Sequence, residues 1–243
     1  MGHKDYKTIN VWLKDLREKE YVTRIYSTDF LEKTKPAIYY LSLNGIRFLK
    51  ANTNYPIGEL RKRYREPSRS KTFIDRCILV AECCTTLHKE STDQLRYSFA
   101  TEADYLDPES GYNFLAESEL TRPSLCIEVL GEDATYYLLE IFDATLPRYR
   151  LRKRLKNYVE YLKDDEWQNE TDMEEPPIIL LALPTLADLI YAKRCTKKLL
   201  NDAYYEEVPD NIHIRFTTTE KLTQRSVTSP IWEEKRSLYD LRH

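Results

Sequence analysis

Residues 138–145, LLEIFDAT, set one glutamate, Glu140, inside an apolar run and one aspartate, Asp143, three positions later. The most basic stretch of the chain follows at once, RYRLRKRLKNY at 148–158. An acid on a buried strand ahead of a positive helix can serve phosphodiester hydrolysis. Carboxylates hold one or two divalent ions, which polarise the phosphate and generate hydroxide beside a lysine. That chemistry needs two carboxylates and a cation to converge on one point. Side chains alternate across a strand, so the residue that shares the face of Glu140 is Phe142, which offers neither a metal ligand nor a charge. Asp143 points to the opposite face unless a bulge shifts the register. Glu128, on the preceding run SLCIEVLG, is a substitute ligand that would move the metal by several ångströms, and Lys153 is the candidate lysine. The competing reading of Glu140 is a structural salt bridge to Arg122 or Arg148.

The basic stretch is also a candidate binding surface. Arg148, Arg150, Arg152, Lys153, Arg154 and Lys156 give six positive charges in nine residues without an acid. Such groups contact phosphates, release counterions and give affinity without sequence preference. The alternative is a solvated amphipathic helix with the acidic run KDDEWQNETDMEE at 163–175 folded over it. Other candidates read as structural. Glu82 is a single acid on a helix, and His213 beside Arg215 suits packing at a core edge. The four histidines are too scattered for a Ser/His/Asp triad, and five glycines leave no phosphate-cradling loop.

These residues must be positioned by a chain of 243 residues, 42% hydrophobic and 12% aromatic, enough for one large domain or two small ones. Lys plus Arg total 37 and Asp plus Glu 40, so attraction to nucleic acid has to come from local patches. The five cysteines form no CxxC pair, and with no signal peptide they predict reduced thiols and a cytoplasmic protein. The longest apolar run, PPIILLALPTLADLIYA, is broken by Pro184 and Asp188, so no membrane role is expected.

Residues 1–53 predict a helix, a hairpin and a second helix. Tyr6, Ile9, Trp12, Leu13 and Leu16 recur at the spacing of one buried helical face, and Lys7, Asn10, Lys14 and Arg17 fall on another. The runs YVTRIYS and AIYYLSL are joined by TDFLEKTKP, and NGIRFLKAN resumes a helical pattern. This order resembles the last helix, wing and following helix of a winged-helix module. Such a module has two further helices first, and only Met1 to Asp5 precede here, so it is expected to be incomplete at its N-terminus. Under that resemblance Lys7, Asn10, Lys14 and Arg17 face a DNA groove, and Lys33 and Lys35 sit on the wing. Residues 54–70, with two prolines and little apolar content, predict a basic linker whose Arg61, Lys62 and Arg63 can serve DNA or simply be solvated.

An α/β domain is expected over 71–216. It begins with the helix KTFIDRCILVAECCTTLH, in which Phe73, Cys77, Val80, Cys84 and Leu87 form the buried stripe. Strands QLRYSFAT, SLCIEVLG and TYYLLEIF follow, the last two joined by a tight turn at 131–133. The basic helix, the strand IILLAL, a helix from Leu186 and a short strand IHIRF complete it. Residues 217–243 are expected to be a polar tail anchored by Trp232.

The αβββαβ order resembles the core of the PD-(D/E)xK nuclease superfamily. The segment TRPSLCIEVLGEDATYYLLEIFDAT with RKRLKNYVEYL is similar to the replication-relaxation family, plasmid- and phage-associated proteins that carry a winged helix ahead of a nuclease-like domain. Arg122-Pro123-Ser124 stands where that family shows RPD, Leu139-Glu140-Ile141-Phe142 where it shows LExD, Ala144-Thr145 where it shows a small residue and Thr, and Arg154 and Tyr158 where its helix carries Lys and Tyr. Ser124 is a poor ligand for a hard cation, and Arg154 can clamp phosphate but cannot act as a base. The resemblance therefore implies a DNA-binding protein of mobile-element origin, in a replication, mobilisation or regulatory accessory role, whose nuclease-like domain has lost its catalytic pairing and needs no cofactor. A metal-dependent endonuclease with migrated ligands, Glu140 binding Mg²⁺ or Mn²⁺, is the first alternative. A structural subunit of a larger nucleoprotein assembly, with a protein partner or as a homo-oligomer, is the second.

Overall fold

The computed structural model describes residues 6–25, 37–106, 110–112, 115, 122–131, 134–163, 167–168, 175–201 and 212–234. The chain divides into two units, Met1–Ser70 and Lys71–His243. In the first, helix α1 (Tyr6–Glu18) leads to strand β1 (Val22–Ile25), which pairs antiparallel with β2 (Ile38–Leu41). Helices α2 (Leu43–Asn52) and α3 (Ile57–Arg63) follow. α1 ends at Glu20, whose φ of 56° is left-handed, and the amide of Tyr21 reaches back to the Leu16 carbonyl at 2.8 Å. α2 starts at Ser42, whose side chain accepts the Gly45 amide at 3.1 Å. Gly45 is required by packing: a Cβ there would lie 2.2 Å from the Tyr21 carbonyl oxygen.

Two expectations for this unit need correction. The apolar face of α1 is not buried: Ile9, Trp12 and Leu16 keep 41%, 48% and 37% of their surface exposed. The Tyr6 side chain, and Lys33 and Lys35, lie outside the described residues. Residues 54–70 are not a plain linker. Pro56 presets the backbone ahead of good helix formers, α3 results, and its Leu60 is buried to 1%. A 3-10 turn follows at Glu66–Ser68. The charge of the segment is partly spent internally, because Glu59 binds Lys62 at 2.6 Å and Glu66 lies 3.4 Å and 3.5 Å from Arg63 and Arg69.

The second unit is mixed α/β. Helix α4 (Lys71–Glu90), strands β3 (Arg96–Thr101), β4 (Leu125–Leu130) and β5 (Thr135–Ile141), helix α5 (Arg148–Lys163), strand β6 (Ile178–Leu183), helix α6 (Leu186–Leu200), strand β7 (Ile214–Thr218), helix α7 (Thr219–Gln224) and strand β8 (Glu233–Glu234) follow in order. The strands form one six-stranded mixed sheet in sequence order, β3-β4-β5-β6-β7-β8. β3, β4 and β5 are antiparallel, β5, β6 and β7 are parallel, and β8 returns antiparallel to β7. β6 is the near-continuous apolar run that a strand buried on both faces requires.

Alternation along β5 divides the core. Leu138 and Phe142 pack with Leu151, Leu155 and Val159 of α5 and Leu189 and Ala192 of α6. Leu139 and Ile141 pack on the other face with Leu79, Cys83 and Leu87 of α4 and Leu222 of α7. The α4 stripe is therefore Leu79-Cys83-Leu87, about one residue round from the one expected: Val80 and Cys84 pack at its side and Cys77 is exposed. Nor are residues 217–234 only a polar tail, since they complete β7, add α7 and supply the edge strand β8, while 235–243 lie outside the described residues. Leu222 and Val227 are buried, and the Trp232 indole donates to the Val227 carbonyl at 2.8 Å. Of the tight turn expected at 131–133, Glu132 and Asp133 lie outside the described residues. No helix among the described residues is long and apolar enough to cross a membrane.

Candidate nucleic-acid interface and the buried carboxylate

Glu140 points from β5 to the α5 face and is fully buried. A turn of α5 supplies both of its partners, because Arg154 and Tyr158 stand four residues apart and share a face. Arg154 Nη1 donates to Oε1, and the Tyr158 hydroxyl donates to Oε2 at 3.1 Å. The same guanidinium lies 5.8 Å from the centre of the Phe142 ring. The aromatic residue beside Glu140 thus helps hold a cation where a second carboxylate was sought. Burial pushes the Glu140 carboxyl above its ordinary range, while the charges of Arg154 and Arg76 and the Tyr158 hydrogen bond act against that push. Burial, with Glu140 beside it, lifts the Tyr158 phenol well above its usual value. The salt bridge expected to Arg122 or Arg148 is made by Arg154 instead, since the rotation of α5 turns that position inward.

The other candidate ligands have separate employment. Ser124 is buried one step beyond the Leu125–Leu139 pair, and its Oγ accepts the Ile141 amide at 3.0 Å. It ties β4 to β5. Asp143 lies past the end of β5 and accepts the amide and hydroxyl of Thr145 at 2.7 Å and 2.8 Å, a local turn. Burial alone would raise its carboxyl. The Thr145 hydrogen bonds, the Arg76 charge and the Thr72 hydroxyl outweigh that effect and hold it below the usual carboxylate range. Glu128 pairs in register with Tyr136, four residues from Glu140 and so roughly 13 Å along the strand. Its oxygens accept the hydroxyls of Tyr112 at 3.0 Å and Tyr136 at 2.7 Å. Lys153, next to inward-facing Arg154, is exposed. Ser124, Glu128, Glu140, Asp143 and Lys153 therefore do not converge. Among the described residues no group of three His, Cys, Asp or Glu side chains is arranged to hold a metal ion. Glu82 is exposed on α4, and His213 is also exposed, its Nδ1 3.3 Å from Glu234 at the sheet edge, so it is not packed core.

What remains open to solvent is the cationic side of α5. Arg148, Arg150, Arg152, Lys153 and Lys156 are exposed, and Arg154 alone of the six is turned inward. Lys156 pairs with Glu160 at 3.1 Å. The Arg148 guanidinium lies over the Tyr191 ring of α6, 4.9 Å from its centre. α6 adds Arg194, Lys197 and Lys198, exposed on the same side of the sheet. These three were not among the expected binding residues, although the run KRCTKK at 193–198 carries the signal. In the first unit Lys7, Asn10 and Lys14 are exposed on α1, Arg17 is half-buried, and Arg61 and Lys62 are exposed on α3 with Arg63 half-buried. Lys14 lies 3.7 Å from Glu18. No family model matches the sequence, and no curated protein or solved structure matches the chain.

Proposed function

We infer that the protein binds DNA through phosphate contacts and that its second unit is a nuclease-like scaffold used for binding and not for hydrolysis. The observation that carries this reading is the row of five exposed cations on α5, Arg148 to Lys156, interrupted by no acid and continued by Arg194, Lys197 and Lys198 on α6. Groups so placed neutralise phosphates without reading bases. Against hydrolysis stands the Glu140 carboxylate, both of whose oxygens are taken by Arg154 and Tyr158. A metal at that point would have to displace a guanidinium from a buried site. The first unit would act as a winged-helix-like module, offering Lys7, Asn10, Lys14 and Arg17, and an accessory role in replication or mobilisation of a plasmid or phage fits such a pairing. The test is duplex binding by fluorescence anisotropy at rising salt. Affinity should fall linearly on logarithmic axes, and Arg152→Glu with Lys153→Glu should make the slope shallower by about two. Binding that is absent at low salt, or indifferent to salt, rejects the reading.

A further inference from the structure

We propose that the α5–α6 face takes single-stranded nucleic acid, with the Tyr149 ring as a platform for an unpaired base and the surrounding cations holding the adjoining phosphates. This rests on the reading of α5 as a nucleic-acid surface and names the form of nucleic acid it accepts. Tyr149 keeps 67% of its surface exposed, more than any other exposed large hydrophobic residue among those described. Its sequence neighbours are Arg148 and Arg150, and Arg152 and Lys153 stand one turn on, at the helical spacing that puts them beside it. The Arg150 Nε donates to the Tyr149 hydroxyl at 3.2 Å, while its guanidinium carbon is 5.9 Å from the ring centre. Arg150 thus lies over one face of the ring and donates at its hydroxyl, and the opposite face, on a residue this exposed, is the one offered to a base. Tyr191 differs, for it is half-buried and covered by Arg148.

An exposed ring set among cations, with one face left for stacking, matches a single strand better than a duplex. Bases in a duplex are stacked on each other and present only their edges, whereas an unpaired base offers a face to an aromatic ring and leaves its phosphates within reach of flanking arginines. α5 is held against the sheet by Leu151, Leu155 and Val159, so it presents a flat cationic side and not a free helix that could enter a groove.

The experiment compares a labelled single strand with a duplex of the same sequence by anisotropy, for the full chain and for Tyr149→Ala, Tyr149→Phe and Arg152→Glu/Lys153→Glu. Wild type should prefer the single strand. Tyr149→Ala should lose about tenfold in single-strand affinity, as removal of one stacking ring does, with duplex affinity changed less than twofold. Tyr149→Phe, which keeps the ring, should bind like wild type, and unchanged circular dichroism confirms that the exposed substitution leaves the fold intact. A silent Tyr149→Ala, an equal loss on both probes, or a preference for duplex overturns the proposal. If the charge reversals abolish binding while Tyr149→Ala is silent, the phosphate-binding reading stands and the stacking platform alone fails. If neither probe binds in a salt-sensitive way, both fail.

Discussion

Glu140 depends on Arg154 more than on any other residue. The carboxylate has no access to water, so removing the guanidinium leaves a buried charge with only the Arg76 charge and the Tyr158 hydroxyl to compensate it. Arg154→Met should destabilise the second unit by about 3 kcal/mol, toward the lower end for breaking a buried pair because Arg154 is itself 25% exposed. Adding Glu140→Gln, which removes the charge but keeps an oxygen for Tyr158, should recover most of that loss. Urea denaturation of the two single variants and the double variant measures the coupling, and strict additivity would show that the pair carries no specific energy. The two acids beside this strand should also respond to pH in opposite directions. Glu140 is raised from its ordinary 4.5, so the stability it contributes is complete below that value and is lost as pH rises through the folded-state value. Asp143 is lowered from 3.8, so its contribution is present above that value and is lost as pH falls through the folded-state value. Urea midpoints across this range should show wild type losing ground to Glu140→Gln on raising pH, and losing ground to Asp143→Asn on lowering it. Parallel pH profiles for the two variants would contradict the assigned shifts.

At the scale of elements, the first unit is set by two backbone details at the join between α1 and α2. A methyl at Gly45 would meet a carbonyl oxygen of the main chain, which cannot rotate away as a side chain can. Gly45→Ala should therefore cost about 1–3 kcal/mol, the range of overpacked sites. Glu20 sits in the left-handed region without being glycine, so Glu20→Gly should raise stability by about 1 kcal/mol. Thermal melts that moved in the same direction for both variants would reject this account of the join. The helices most legible in the sequence are those with long periodic patterns, α1, α4 and α5, and strands are legible even where they are short, as in β1, β2 and β7. Short helices escape, because α3 and α7 are each held by a single deeply buried leucine, Leu60 or Leu222, and one apolar residue makes no period. Glu140 was legible as a buried acid, but its partner was not. The basic stretch offers four arginines within seven residues, and only the rotation of α5 on the sheet selects Arg154.

Over the whole molecule the near-neutral charge conceals a division. Residues 1–70 carry 15 Lys and Arg against 8 Asp and Glu, a net of +7, and residues 71–243 carry 22 against 32, a net of −10. Composition taken over the full chain averages these away, which is why it gave no guide to partners. The cationic face of α5 and α6 belongs to an acidic unit, so on the proposed reading its attraction for phosphate is local, screened beyond about 8–10 Å at moderate salt. On the proposed reading the first unit, with its net positive charge, adds to that attraction. A chain of residues 71–243 alone should keep salt-sensitive binding, because its cations are intrinsic to two packed helices, but with a shallower dependence. If about four cations of the second unit contact phosphates, its logarithmic slope is about −3.6, and four more from Lys7, Lys14, Arg17 and Arg61 would roughly double it in the full chain. Equal slopes for the two proteins would mean that the first unit does not touch nucleic acid, and its exposed Ile9, Trp12 and Leu16 would then be the feature of α1 left to explain.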